Sequence, residues 1–65
     1  MNAAEIHPLA LAALRAESAE EKKRDEINAR GEGWGRAEYA EIRPFEAIRI
    51  DARKAWAAAG FPVEA

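Results

Sequence analysis

Bulky apolar side chains are scarce, and this constrains the fold of the chain more than any other feature. Of 65 residues, 32 are hydrophobic, but 17 of those are alanine. The remaining 15 are five Ile, three Leu, two Phe, two Trp and one each of Val, Met and Tyr. A large side chain contributes about 1.5–3 kcal/mol when fully buried. Ordering a residue costs about 1.5 kcal/mol. There is no cysteine to staple so small a chain. The sequence therefore predicts a module that completes its burial against another surface, most simply a second copy in a homodimer.

Charge narrows the classes of partner. Net charge is −2 and the pI is 5.4. Five basic and six acidic residues lie in residues 1–30, and the same numbers in 31–65. Affinity dominated by phosphate contacts needs a basic balance, so nucleic acid is disfavoured. The apolar run Pro8–Leu14 falls short of the ~20 residues of a membrane span, and no basic start precedes it as in a signal peptide. The expectation is a cytoplasmic protein with no membrane partner.

The punctuation predicts an all-α fold, a small helical hairpin or three-helix module. Residues 8–30 are rich in Ala, Leu, Glu, Lys and Arg, the strongest helix formers. Pro8 suits a first turn, Asn2-x-x-Glu5 offers a rival start, and Gly31 a stop. From Glu17 to Glu26 only Ala19 is apolar, so this half is expected to project into solvent, bridge to a partner, or fray. Glu20–Arg24 and Glu26–Arg30 are favourable i,i+4 pairs. A glycine-rich loop at 31–35 lets the chain reverse. A short helix is expected at about 36–43, with a break where Arg43 precedes Pro44, and a third helix at about 44–59. Leu9, Leu11 and Leu14 would then pack against Phe45, Ile48 and Trp56. Gly60 stands at C′, Phe61 at C″ and Trp56 at C3, the positions that meet in a Schellman motif. Residues 60–65 form a C-terminal tail. Ile50 lies on the back of its helix, opposite the Phe45/Ile48/Ala55 stripe.

Motifs for chemistry are missing. His7 is the single histidine and reads as a helix-start residue beside Pro8. One His and no Cys exclude the usual structural zinc site within one chain, so no metal and no cofactor is expected. The acids from Glu17 to Glu26 are interleaved with Lys22, Lys23 and Arg24, which favours solvated ion pairs over acid–base work. Gly31-Glu32-Gly33-Trp34-Gly35 lacks the lysine, the hydroxyl and the spacing of phosphate-binding loops. No enzyme is expected.

Trp34 is either folded back as a plug or presented as an anchor. Trp, Tyr and Arg dominate interface hot spots, and Trp34, Arg36 and Tyr39 are close in sequence. With Ile50 and Arg53 they are the candidate partner-binding residues. The reading is a protein-binding module that acts by occlusion: an adaptor, an accessory subunit or an inhibitor, as among phage-encoded proteins that block host machinery. The alternative is a nucleic-acid-binding regulator. Arg36–Trp56 resembles the helix-turn-helix modules of excisionases and small phage terminase subunits. Ala40 falls at the small-residue position and Phe45 after the turn, while Pro44 replaces the usual glycine and Arg43 and Arg53 take core positions. The resemblance implies that Arg49, Arg53 and Lys54 meet phosphates.

Overall fold

A computed structural model describes residues 5–65, so the capping pattern beginning at Asn2 lies outside the described residues. The described chain is an antiparallel helical hairpin. Helix α1 spans Pro8–Ala29 and α2 spans Arg36–Ala58. No strand accompanies them among the described residues, only an isolated antiparallel bridge between Ile6 and Glu64.

Helix α1 begins as its local sequence dictates. His7 is the N-cap, its Nδ1 accepts the Leu9 N–H at 3.1 Å, and Pro8 opens the first turn. The helix stops at Arg30, and Gly31 follows with φ of 71°. Its N–H donates to the Asn28 carbonyl at 3.1 Å. A side chain at that left-handed position would crowd the backbone, which glycine avoids.

The expected division of the second half into helices at 36–43 and 44–59 is corrected: α2 runs unbroken through Pro44. Proline removes the hydrogen bond to the carbonyl four residues back. Here that residue is Ala40, which is exposed like Pro44, so water can hydrate the freed carbonyl. On either side, buried Ile42 and half-buried Phe45 hold the helix against α1. The described residues thus form two helices rather than three.

The C-terminal stop follows the sequence reading. Phe61 N–H donates to Trp56 O at 3.0 Å and Gly60 N–H to Ala57 O at 2.9 Å, the two bonds of a Schellman motif. Trp56 and Phe61 meet edge to face with centroids 5.0 Å apart. Trp56 Nε1–H donates to Pro62 O at 2.7 Å. The tail then turns back onto the start of the chain. His7 N–H donates to Val63 O at 3.0 Å, and Ala65 N–H to Glu5 O at 3.1 Å.

The core is thin. Among the described residues, Ala10, Ala13, Ala16, Ile27 and Ile42 are the buried apolar ones, and of these only the two isoleucines are large. The expected leucine-to-aromatic packing is partly corrected. Leu9, Leu11, Phe45 and Trp56 are half-buried, but Leu14 is 53% exposed and Ile48 60% exposed. Alanines occupy much of the buried line of α1, while bulkier Leu14 and Ile48 stay on the flanks. The charged half of α1 does not project freely as one of the expectations held. Glu20 is only 7% exposed and Ile27 closes the core near the loop. The result is a plate of 42 × 24 × 11 Å, one helix diameter thick.

Candidate interaction surface

Charged side chains fix how the two helices face each other. Glu20 points from α1 into the interface and receives three N–H groups. Arg24 Nε and Nη2 donate to Oε1 at 3.2 and 3.0 Å, and Arg49 Nε of α2 donates to Oε2. Burial alone would raise the Glu20 pKa. The hydrogen bonds from Arg49 and Arg24, with their charges, outweigh it and hold the carboxyl below its ordinary 4.5. The same pairing raises the Arg49 pKa.

Three further pairs join the two arms of the hairpin. Arg30 grips Glu41 with both terminal nitrogens, at 2.7 and 2.9 Å, while Lys23 approaches Glu41 at 3.3 Å. Hydrogen bonds from Arg30 and then Lys23 lower the Glu41 pKa to about 2. Arg53 donates to Glu17 at 3.2 Å. Along α1 and its C-cap, Glu20–Arg24 and Glu26–Arg30 pair as their spacing predicts.

The loop end of one face is built around Trp34. Its Nε1–H donates to Asn28 Oδ1 at 2.7 Å. Its ring lies 5.2 Å from that of Tyr39, with the Arg24 guanidinium 5.9 Å from its centroid. Trp34 is thus folded back and half-buried, whereas Tyr39 beside it is exposed. Gly35 opens α2 as N-cap, and Glu38 Oε1 accepts its N–H at 3.2 Å.

Nearer the joined termini, α2 contributes an apolar groove with a cavity volume of about 200 Å³. It is lined by the apolar Ile50, Ala57 and Phe61 and by the basic Arg49, Arg53 and Lys54. Ile50 is 42% exposed. A second shallow hollow lies between Ala19, Lys22, Lys23, Glu26 and Phe45.

The candidate residues therefore fall into two clusters. Trp34 and Tyr39 are in contact at the loop end; Ile50 and Arg53 share the groove. Eleven residues separate Tyr39 from Ile50, or about 16 Å at 1.5 Å per residue, and three turns return them to nearly the same stripe. Arg36, exposed and one turn before Tyr39, falls on that side by the same spacing. One face thus carries all five.

Several participants were not singled out by sequence reasoning. Asn28 holds Trp34, Glu41 receives two cations, and Phe61 lines the groove besides completing the C-terminal cap. Glu20 had a readable signal. Ala13, Ala16, Glu20 and Ile27 recur at three-, four- and seven-residue steps, so the core stripe passes through the acidic run. Comparison with protein-family models, with curated proteins and with solved structures gives no match.

Proposed function

We propose that the hairpin is a protein-binding module that acts by covering a partner's surface, as an adaptor, an accessory subunit or an inhibitor. The observation that carries this reading is the imbalance of its apolar side chains. Among the described residues two large ones are fully buried, whereas Leu14, Tyr39, Ile48, Ile50, Phe61 and Val63 are exposed. On a plate one helix thick, neither broad face can be covered by the hairpin itself. Apolar residues edged by arginine and tyrosine are the composition of interface cores. The carboxylates of the site are tied to arginine and lysine in structural pairs, and the reading assigns it no catalysis.

Trp34, Arg36, Tyr39, Ile50 and Arg53 form the proposed contact face, and a homodimer is one way to cover it. The chain carries no membrane-spanning helix among its described residues. A nucleic-acid role for residues 36–59 has less support. The turn on which the helix-turn-helix likeness rested is absent, because 36–58 is one helix. Arg49 and Arg53 also have acidic partners within the chain, Glu20 and Glu17.

Affinity capture from the source cell tests the reading, with Trp34→Ala and Ile50→Asp beside the unaltered chain. A specific protein partner is expected, and both substitutions should weaken its capture. Equal capture by all three would reject the surface. Binding to DNA that falls steeply with salt would favour the nucleic-acid reading instead.

A further inference from the structure

Building on that reading, we infer that the face bearing the Ile50–Ala57–Phe61 groove takes a second copy of this chain, with α1 of each copy laid over α2 of the other. The first support is charge. Three basic residues, Arg49, Arg53 and Lys54, line the groove, and Arg49 and Arg53 each also pair with an acid of their own chain, Glu20 and Glu17. The same face of α1 is the groove's complement. Glu17 reaches Arg53 across the hairpin, which places it on this side. Leu14 and Glu21 are three and four residues away, one turn before and after, and so share its stripe. Leu14 is an exposed apolar knob next to two exposed acids.

The second support is register. The contacts Glu17–Arg53, Glu20–Arg49 and Arg30–Glu41 fix which residues of the two helices are level. Leu14 stands level with the Trp56–Ala57 turn, and Glu21 with Arg49. A two-fold axis lying between the plates and parallel to the helices places α1 of each copy over α2 of the other at unchanged height. Leu14 then meets the partner's Ala57 end of the groove, and Glu21 faces the partner's Arg49. Glu17 faces the partner's Arg53. The two Glu17 and two Arg53 side chains would form a ring of alternating sign. Each attraction occurs twice, as a closed two-fold interface requires.

Size supplies the third support. Stable complexes bury about 800 Å² per partner. A face 42 Å long and 24 Å wide is large enough to provide that area.

Native mass spectrometry and sedimentation over a range of concentrations test the proposal, using the full chain, with far-UV circular dichroism to verify helix content. The unaltered chain should be a dimer. Glu17→Arg and Arg53→Glu should each weaken self-association by roughly tenfold or more, because each repulsion is repeated across the axis. Mixing these two variants should restore a heterodimer. In that pair both intermolecular contacts regain opposite signs, while the contact inside each chain stays repulsive. Ile50→Asp should give monomers. Ile48→Asp, about 200° away around α2, should leave the dimer intact, and both positions are exposed enough for the hairpin to fold.

A monomeric unaltered chain, a mixture that does not pair, or a dimer lost with Ile48→Asp but not Ile50→Asp would each overturn the proposal. The two readings fail separately. A monomer that captures a protein through Trp34 and Ile50 ends this inference and leaves the binding module standing. A two-fold dimer that captures nothing does the reverse.

Discussion

Replacing Pro44 with alanine should make the hairpin more stable. Proline in a helix interior is about 3 kcal/mol less favourable than alanine. It lacks the N–H, and its ring presses on the carbonyl four residues earlier. Pro44 is the ninth residue of a helix spanning 36–58, well away from the first turn where proline costs little. The affected carbonyl belongs to Ala40 on the exposed side of α2, where water recovers part of the lost hydrogen bond. A gain of about 2–3 kcal/mol remains. For a domain of this size each kcal/mol moves Tm by about 4–8 °C, so Pro44→Ala should raise Tm by roughly 10–20 °C. Thermal melts followed by far-UV circular dichroism measure this, at one protein concentration because association itself shifts Tm. Helix content at low temperature should not change, since the residues around 44 are already helical. An unchanged or lower Tm, or a clear rise in helix content at low temperature, would refute the reasoning. The second result would mean that the native chain breaks at Arg43–Pro44.

Three further outcomes are expected. Glu20→Ala should cost about 1–3 kcal/mol in urea denaturation, the range for leaving hydrogen-bonding groups without their partner, moderated because Arg24 and Arg49 remain accessible to water. Glu20→Leu should cost less than Glu20→Ala, because the larger apolar side chain keeps packing in the interface that alanine loses. The Glu41 carboxyl titrates near 2 in the folded chain against 4.5 ordinarily. Its stabilising effect is therefore present above 4.5 and lost as pH falls toward 2; Glu41→Gln should flatten that part of a Tm–pH profile. Gly60→Ala should cost about 1–2 kcal/mol, because φ there is 85°, and the loosened Trp56–Phe61 contact should show as a change in tryptophan emission.

Local features were legible in the sequence, and those set by register were not. The C-terminal cap was readable because Trp56, Gly60 and Phe61 interact within six residues. The helix start at His7-Pro8 and the stop at Gly31 were readable for the same reason. Pro44 was misjudged because its intrinsic preference is local, whereas the packing of Ile42 and Phe45 that overrides it comes from α1. The burial of Glu20 was obscured by its acidic neighbours, and its partner Arg49 lies 29 residues away. Which candidates share a face depended on the same missing quantity. Tyr39 and Ile50 could be placed on one stripe only once the break between them was gone.

The backbone clasp between residues 5–7 and 63–65 brings both ends of the described chain to one pole. Trp34 sits at the other. A reporter attached at either end would therefore stand at the far pole from Trp34, and two reporters would be near neighbours, suited to energy transfer. A short peptide linker could close the backbone into a ring, and the 31–35 loop could then be reopened as new ends. Such a permuted molecule would keep both helices while exchanging which pole is free.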